Sequence, residues 1–285
     1  MPEIERPDGA RLHYEVHGDG PAVLLLAPGG AGSGRDAWAD NAYDPVAELS
    51  RDFRIIAVDR RHDGRSTAPA EAFDHAETAA DLVAVLDVLG VEQAHVVAAG
   101  DGTASAWRLA HDAPERVRSV VAQQPAGVDP AGGGLAVHLR RFDEAMRLPR
   151  ADGLAAVVDA ARRDGRFAAH PGAGPFAARL HHDPAFADEI LALRRERYVV
   201  RVVRFRDGLY PADSAYFSVP EEWMARCPVP LLVLPGDDPA HPEVIAKRIA
   251  DEAPRATLLE ADFASPDKRT DTVAAVAAFL TTHSR

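Results

Sequence analysis

The chain has 285 residues, 47% of them hydrophobic and 27% charged, which is the profile of a globular protein and excludes a disordered or fibrous one. Its net charge of −12 argues against a general nucleic-acid-binding surface, which needs basic residues to neutralise phosphates, and favours small-molecule work. The single cysteine, Cys227, excludes an internal disulfide, and no apolar run approaches the roughly 20 residues that cross a bilayer. The start, MPEIERPDGA, lacks the basic-then-apolar order of a signal peptide, so a cytoplasmic protein with no membrane partner is expected.

In chain order, Leu12 to Val16 alternates as a strand, and a turn at Gly18–Gly20 leads into the apolar run Ala22–Gly30. A continuous apolar run of this length is what a strand buried on both sheet faces requires. The same character returns in Phe53–Asp59, Ala94–Gly100, Val117–Gln124, Pro230–Gly236 and Ala256–Asp262. Between them, Thr78–Leu89 sets Leu82, Val85, Leu86 and Leu89 at helical spacing, with Gly90 where a left-handed C-terminal cap is wanted. Gly102–Ala110, Pro242–Ala253 and Asp267–Leu280 read as further helices. Alternating strands and helices imply right-handed crossovers, a mostly parallel sheet and helices on both faces, the α/β class.

Residues 128–227 break that alternation. They hold three consecutive glycines (Gly132–Gly134), the loop His170–Pro175 and an arginine-rich helical stretch, Glu189–Arg206. A mainly helical cap inserted into a core of residues 1–127 and 228–285 is the expected organisation, with no internal repeat.

Three segments now carry a family resemblance. Asp59–Ser66 (DRRHDGRS) resembles the D-x-R-x-x-G-x-S turn of α/β hydrolases, and Ala27–Gly30 (APGG) resembles their oxyanion loop. Ala94–Val121 is similar to the strand, nucleophile elbow, helix and next strand of that superfamily. With Gly236–Pro242 (GDDPAHP), the resemblance extends over residues 10–125 and 228–282 and implies an α/β-hydrolase fold with a cap.

In that family the elbow reads small-x-nucleophile-x-small, because only small flanking residues fit a strained strand-to-helix turn. Aligned here it becomes Ala98-Ala99-Gly100-Asp101-Gly102, so Gly100 occupies the nucleophile position and has no side chain with which to attack a carbonyl. The resemblance assigns the acid to Asp238, ahead of Asp237. The histidine that should follow the last strand is absent from Leu258–Arg269, and the next one is His283. Ser265, before Pro266, reads as a helix N-cap.

What remains for chemistry is specific. His241, three residues beyond Asp238, is a candidate general base, against the plainer reading of a histidine that packs before Pro242. The backbone N–H groups of Asp101 and of the Gly29–Gly30 loop are candidate oxyanion donors. Asp101 itself would be a nucleophile if the elbow frame slipped by one, as in dehalogenases and epoxide hydrolases; the plainer reading is an acid in a first helical turn. Trp38 and Gln124 are candidate pocket-lining residues, with Gly100 leaving room for substrate. His170, His181 and His182 lack metal-ligand spacing, so no metal and no cofactor are expected.

A competitor from another class is a nicotinamide-dependent oxidoreductase, since Gly32–Ala37 (GSGRDA) matches G-x-G-x-x-A and Asp59 ends the next strand. A pseudoenzyme binding a small ligand or partner is another. The expected function is acid/base and oxyanion catalysis on a carbonyl-bearing small molecule, of lyase, cyclase, dehydratase or isomerase type, or non-covalent hydrolysis. Substrate identity and oligomeric state are not legible in the sequence, a homodimer being one option.

Overall fold

A computed structural model describes residues 2–29, 34–70, 72–260, 263 and 265–284. Eight strands form one sheet: β1 (Glu3–Glu5), β2 (Arg11–His17), β3 (Ala22–Leu26), β4 (Arg54–Val58), β5 (Ala94–Ala99), β6 (Val117–Gln123), β7 (Leu231–Leu234) and β8 (Ala256–Leu258). Their spatial order is β1-β2-β4-β3-β5-β6-β7-β8, with β2 antiparallel to both its partners and every pair from β4 to β8 parallel. This is the α/β-hydrolase architecture that the resemblance implies. β1 was not expected from the sequence; three residues are too few for alternation to register. β8 ends at Leu258, short of the expected Asp262, and residues 261 and 262 lie outside the described residues.

The core helices are α1 (Pro45–Leu49), α2 (His75–Val88) and α3 (Gly102–Asp112), then, after the segment between β6 and β7, α11 (Glu243–Glu252) and α12 (Pro266–Thr282). That segment carries α4 (Ala136–Leu139), α5 (Asp143–Ala151), α6 (Gly153–Arg163), α7 (Ala177–His182), α8 (Pro184–Leu191), α9 (Arg195–Leu209) and α10 (Glu221–Met224). Ser265 caps α12 through its Oγ, which accepts from the Lys268 N–H at 3.4 Å, with Pro266 in the first turn. Among the described residues no helix is long and apolar enough to cross a membrane.

Period-two alternation sends the two halves of each strand into different cores. Leu24, Ile56, Val96 and Val120 pack under α2, α3 and α11, against Leu82, Trp107 and Ile249. Val23, Ile55, Val97 and Val121 pack on the opposite face, against Leu49 of α1 and Leu280 of α12. Each of these central strands must be apolar at every position because both faces are covered. A third cluster joins the helical segment, through Phe142, Val157, Phe176, Ile190, Tyr198 and Phe205, to Phe73 and Ala104 of the core. Burying side chains of this size contributes about 1.5–3 kcal/mol each relative to exposure. The segment is thereby packed onto the core through Phe73.

Candidate active site

β5 runs directly into α3, and the connection is Gly100, whose φ of +50° lies in the left-handed region. Its N–H donates to Gln123 O at 2.9 Å, and its carbonyl accepts from the Thr103 N–H and hydroxyl at 3.1 and 2.7 Å. Gly102 explains why the residue two beyond must be small. A Cβ there would lie 2.6 Å from Leu26 O and 2.7 Å from Ala27 O, because α3 begins hard against β3. The strained strand-to-helix turn therefore falls on Gly100, not on Asp101.

The loop after β7 brings the other groups. Asp238 closes a turn on itself: Oδ1 accepts from the N–H groups of Ala240 and His241 at 2.7 and 3.0 Å. Oδ2 then meets Nδ1 of His241 at 2.8 Å. Gly236 makes this fold-back possible, since a Cβ at that position would lie 2.3 Å from His241 O. The far nitrogen of the ring, Nε2, is buried without a partner among the described residues and sits 3.0 Å from where a Cβ of Gly100 would be. One carboxylate and one histidine thus converge on the elbow from a single loop.

Electrostatics follow from that geometry. Burial disfavours the imidazolium of His241, but the Asp238 hydrogen bond and the charges of Asp101 and Asp238 outweigh it and raise its pKa above the ordinary histidine value. The hydrogen bond from His241 is the main reason that Asp238 is held down to about 2, against the opposing effect of its own partial burial. The pair is poised as a histidine base with a carboxylate that favours its protonated form.

Asp101 behaves otherwise than a first-turn acid. Its carboxylate is 2% exposed, makes no capping bond to α3, and accepts from Arg141 Nη1 at 2.6 Å and from the Tyr210 hydroxyl at 3.0 Å. Burial alone would raise its pKa; the charge of Arg141, then those of His241 and His138, pull it well below the usual carboxylate range. Each oxygen thus has one partner from the helical segment, Arg141 on Oδ2 and Tyr210 on Oδ1. His138 Nε2 is 3.0 Å from Gly127 O and its Nδ1 is 4.0 Å from Asp101 Oδ1; burial lowers the ring's pKa against the opposing pull of Asp101. Arg141, Tyr210 and His138 come from the helical segment between β6 and β7, and sequence reading missed all three. The available signal was Asp101 itself, a buried acid in need of a counter-charge.

The remaining candidates divide. Gln124 has a φ of +48° and lines an open cleft of about 750 Å³ beside Asp238, Pro242 and Phe263. Trp38 is 1% exposed and packs in the apolar core with Val23 and Val97, so it is a core residue and not a pocket wall. Gly29, with a φ of +100°, offers its carbonyl to Arg60 Nη2 at 2.9 Å, while Gly30 lies outside the described residues. Asp59 corrects the dinucleotide reading. It is 4% exposed, packed against Gly34 and Gly64, and its oxygens accept from the Arg35 and Arg65 N–H groups at 2.6 and 3.0 Å, so it is buried inside its own turn and does not face a ribose. Gly32 and Ser33 of that motif lie outside the described residues, and Arg35–Asp40 is a short 3-10 turn. Among the described residues no group of His, Cys, Asp or Glu is placed to hold a metal ion.

Comparison with known proteins adds four findings. Residues 22–171 match the family model of the alpha/beta hydrolase fold. A putative carbamate hydrolase, RutD, of Caulobacter sp. is 30% identical over 265 residues, 87% of this chain and 85% of the relative. RutD of Azorhizobium caulinodans is 38% identical over 111 residues, but that match spans only 39% of this chain and 40% of the relative. In three dimensions, a thermophilic esterase from Thermogutta terrifontis aligns over 100% of both chains with a TM-score of 0.65 and 20% identity, a likeness of fold.

Proposed function

The chain belongs to the α/β-hydrolase-fold family, and from that premise we propose that it is an enzyme acting on a carbonyl-bearing small molecule by acid/base chemistry without a covalent intermediate. The observation that carries this reading is His241 Nε2, unpartnered among the described residues and aimed at the elbow while Asp238 holds its other nitrogen. In a serine hydrolase of this family a hydroxyl would stand at Gly100. With glycine there, His241 takes its proton from the substrate or from a water, and Asp238 stabilises the imidazolium that results. The negative charge that develops on the carbonyl oxygen falls at the start of α3, where the Asp101 N–H is the expected donor, with the loop after β3 as its partner. The proton then returns from His241 to the carbon, oxygen or nitrogen that leaves or is rearranged.

Two forms of this chemistry use the same groups. In the lyase, cyclase, dehydratase or isomerase form, His241 removes a proton from the substrate itself. In the hydrolytic form it removes one from water, which attacks the carbonyl directly; the hydrolase names of the relatives favour this second form. The helical segment between β6 and β7 would act as the cap that sets specificity. Wild type and His241→Ala are to be assayed against esters, lactones, carbamates and β-hydroxy ketones, with intact-mass measurement during turnover. Turnover falling by about 10²-fold or more in His241→Ala, with no covalent adduct, is the expected result. An acyl adduct, or unchanged turnover in the variant, overturns it. Ligand binding with no turnover on any class would leave a binding protein instead.

A further inference from the structure

The mechanism above does not use Arg141, yet this residue stands at its centre. Its two hydrogen bonds, to Asp101 Oδ2 at 2.6 Å and to the Tyr210 hydroxyl at 2.9 Å, both leave from Nη1. Nε and Nη2 have no partner among the described residues, and the side chain is 33% exposed while Asp101 beneath it is 2% exposed. Of the charged groups that bear most on His241, two are the carboxylates of Asp101 and Asp238, and the cation is Arg141. A guanidinium fixed at one nitrogen presents the rest of its fork in a set orientation, with no side-chain entropy left to lose.

We propose that Arg141 anchors the substrate, and that the ligand it selects is a small carboxylate whose reactive carbonyl then lies over Gly100 within reach of His241. The proposal rests on the preceding reading only for where the reacting centre is. A planar, singly charged carboxylate matches the remaining edge of the fork. A dianion such as phosphate suits the place less well, since Asp101 and Asp238 both lie close enough to oppose a second charge. Asp101 acts as an internal competitor for the guanidinium: it keeps Arg141 ordered and lowers the attraction that an incoming carboxylate feels.

Binding is testable without any turnover. The probes are sodium propionate and its neutral isostere propionamide, with dissociation constants from ligand-detected NMR. In the wild type propionate is expected to bind roughly tenfold more tightly than propionamide, the usual worth of one charge-assisted pair. Asp101→Asn removes the competitor and tightens propionate further. The double variant Asp101→Asn/Arg141→Met, which leaves no buried acid unpaired, binds both probes equally and weakly. His241→Ala retains the preference even where it abolishes turnover, so the two readings fail separately. No preference in the wild type, weaker propionate binding in Asp101→Asn, or a preference that survives in the double variant would each overturn the proposal.

Discussion

At the carboxyl end of β4, the turn Asp59–Ser66 is closed by side chains gripping backbone. Asp59 takes the Arg35 and Arg65 N–H groups, and Ser66 Oγ donates to Asp59 O and accepts from the His13 N–H at 2.9 Å. At the carboxyl end of β5, the turn through Gly100 is closed by backbone and by the Thr103 hydroxyl, with no side chain of its own to hold. The first turn matches the family pattern at each of its fixed positions, and Asp59, Gly64 and Ser66 of it hold one another in place. The second carries the small residues that the turn geometry demands, with Gly100 at its left-handed point and Gly102 hard against β3.

The largest effects should therefore come from the first turn. Gly64 has a φ of +55°, and a Cβ there would lie 2.4 Å from the Asp59 carboxylate. Gly64→Ala is expected to destabilise by about 2–4 kcal/mol through strain and collision together, read as a fall in the urea midpoint at unchanged slope. Arg141→Met is expected to cost about 3 kcal/mol, because it leaves Asp101 charged and buried without its cation. Replacing Asp101 by Asn in that background should restore most of the loss. A single variant as stable as wild type would mean that water reaches Asp101.

Gly100→Ser sharpens the contrast from the other side. The new Cβ would sit 3.0 Å from His241 Nε2, a contact that a shift of a few tenths of an ångström relieves, at a backbone φ already left-handed. A stability loss of about 1 kcal/mol is expected from the non-glycine residue at that φ. In exchange the variant should become labelled by a fluorophosphonate probe, whereas the wild type should not, because Ser, His241 and Asp238 would then stand in sequence. An unlabelled, folded variant would show that Nε2 is not oriented to activate a hydroxyl there.

Sequence reading reached the sheet because β3 to β7 are buried on both faces and have to be apolar throughout, a signal local to each run. It reached Asp238 and His241 as a pair for the same reason: three residues apart in one turn, they meet without help from the rest of the fold. Arg141 and Tyr210 were out of reach. They lie far from Asp101 in the chain, on a segment whose fifteen arginines look alike until folding brings one of them to 2.6 Å. Trp38 failed differently: its place after the oxyanion loop suggested a pocket wall, but a large apolar ring there completes the core beneath the sheet. Periodicity reveals which residues are buried and is silent on which side of the strand ends they finish.

The smallest expected effect concerns the Asp238–His241 loop after β7, and its sign follows from linkage. Asp238 is depressed from 3.8 to about 2, so its contribution to stability is present above pH 3.8 and is lost as pH falls through about 2. His241 is raised above 6.5, so its contribution is present below that value and is lost as pH rises through the folded pKa. The pair therefore stabilises most between about pH 4 and 6.5. Since Asp238 is half exposed, solvent screening holds the size to about 0.5 kcal/mol. Asp238→Asn is the right probe, because the amide oxygen can still accept from the Ala240 and His241 N–H groups while the charge is gone. The difference in melting temperature between wild type and this variant should be larger at pH 5.5 than at pH 9. An equal difference at both would mean that Asp238 serves only to close its turn, and that His241 holds its place over Gly100 without help from its charge.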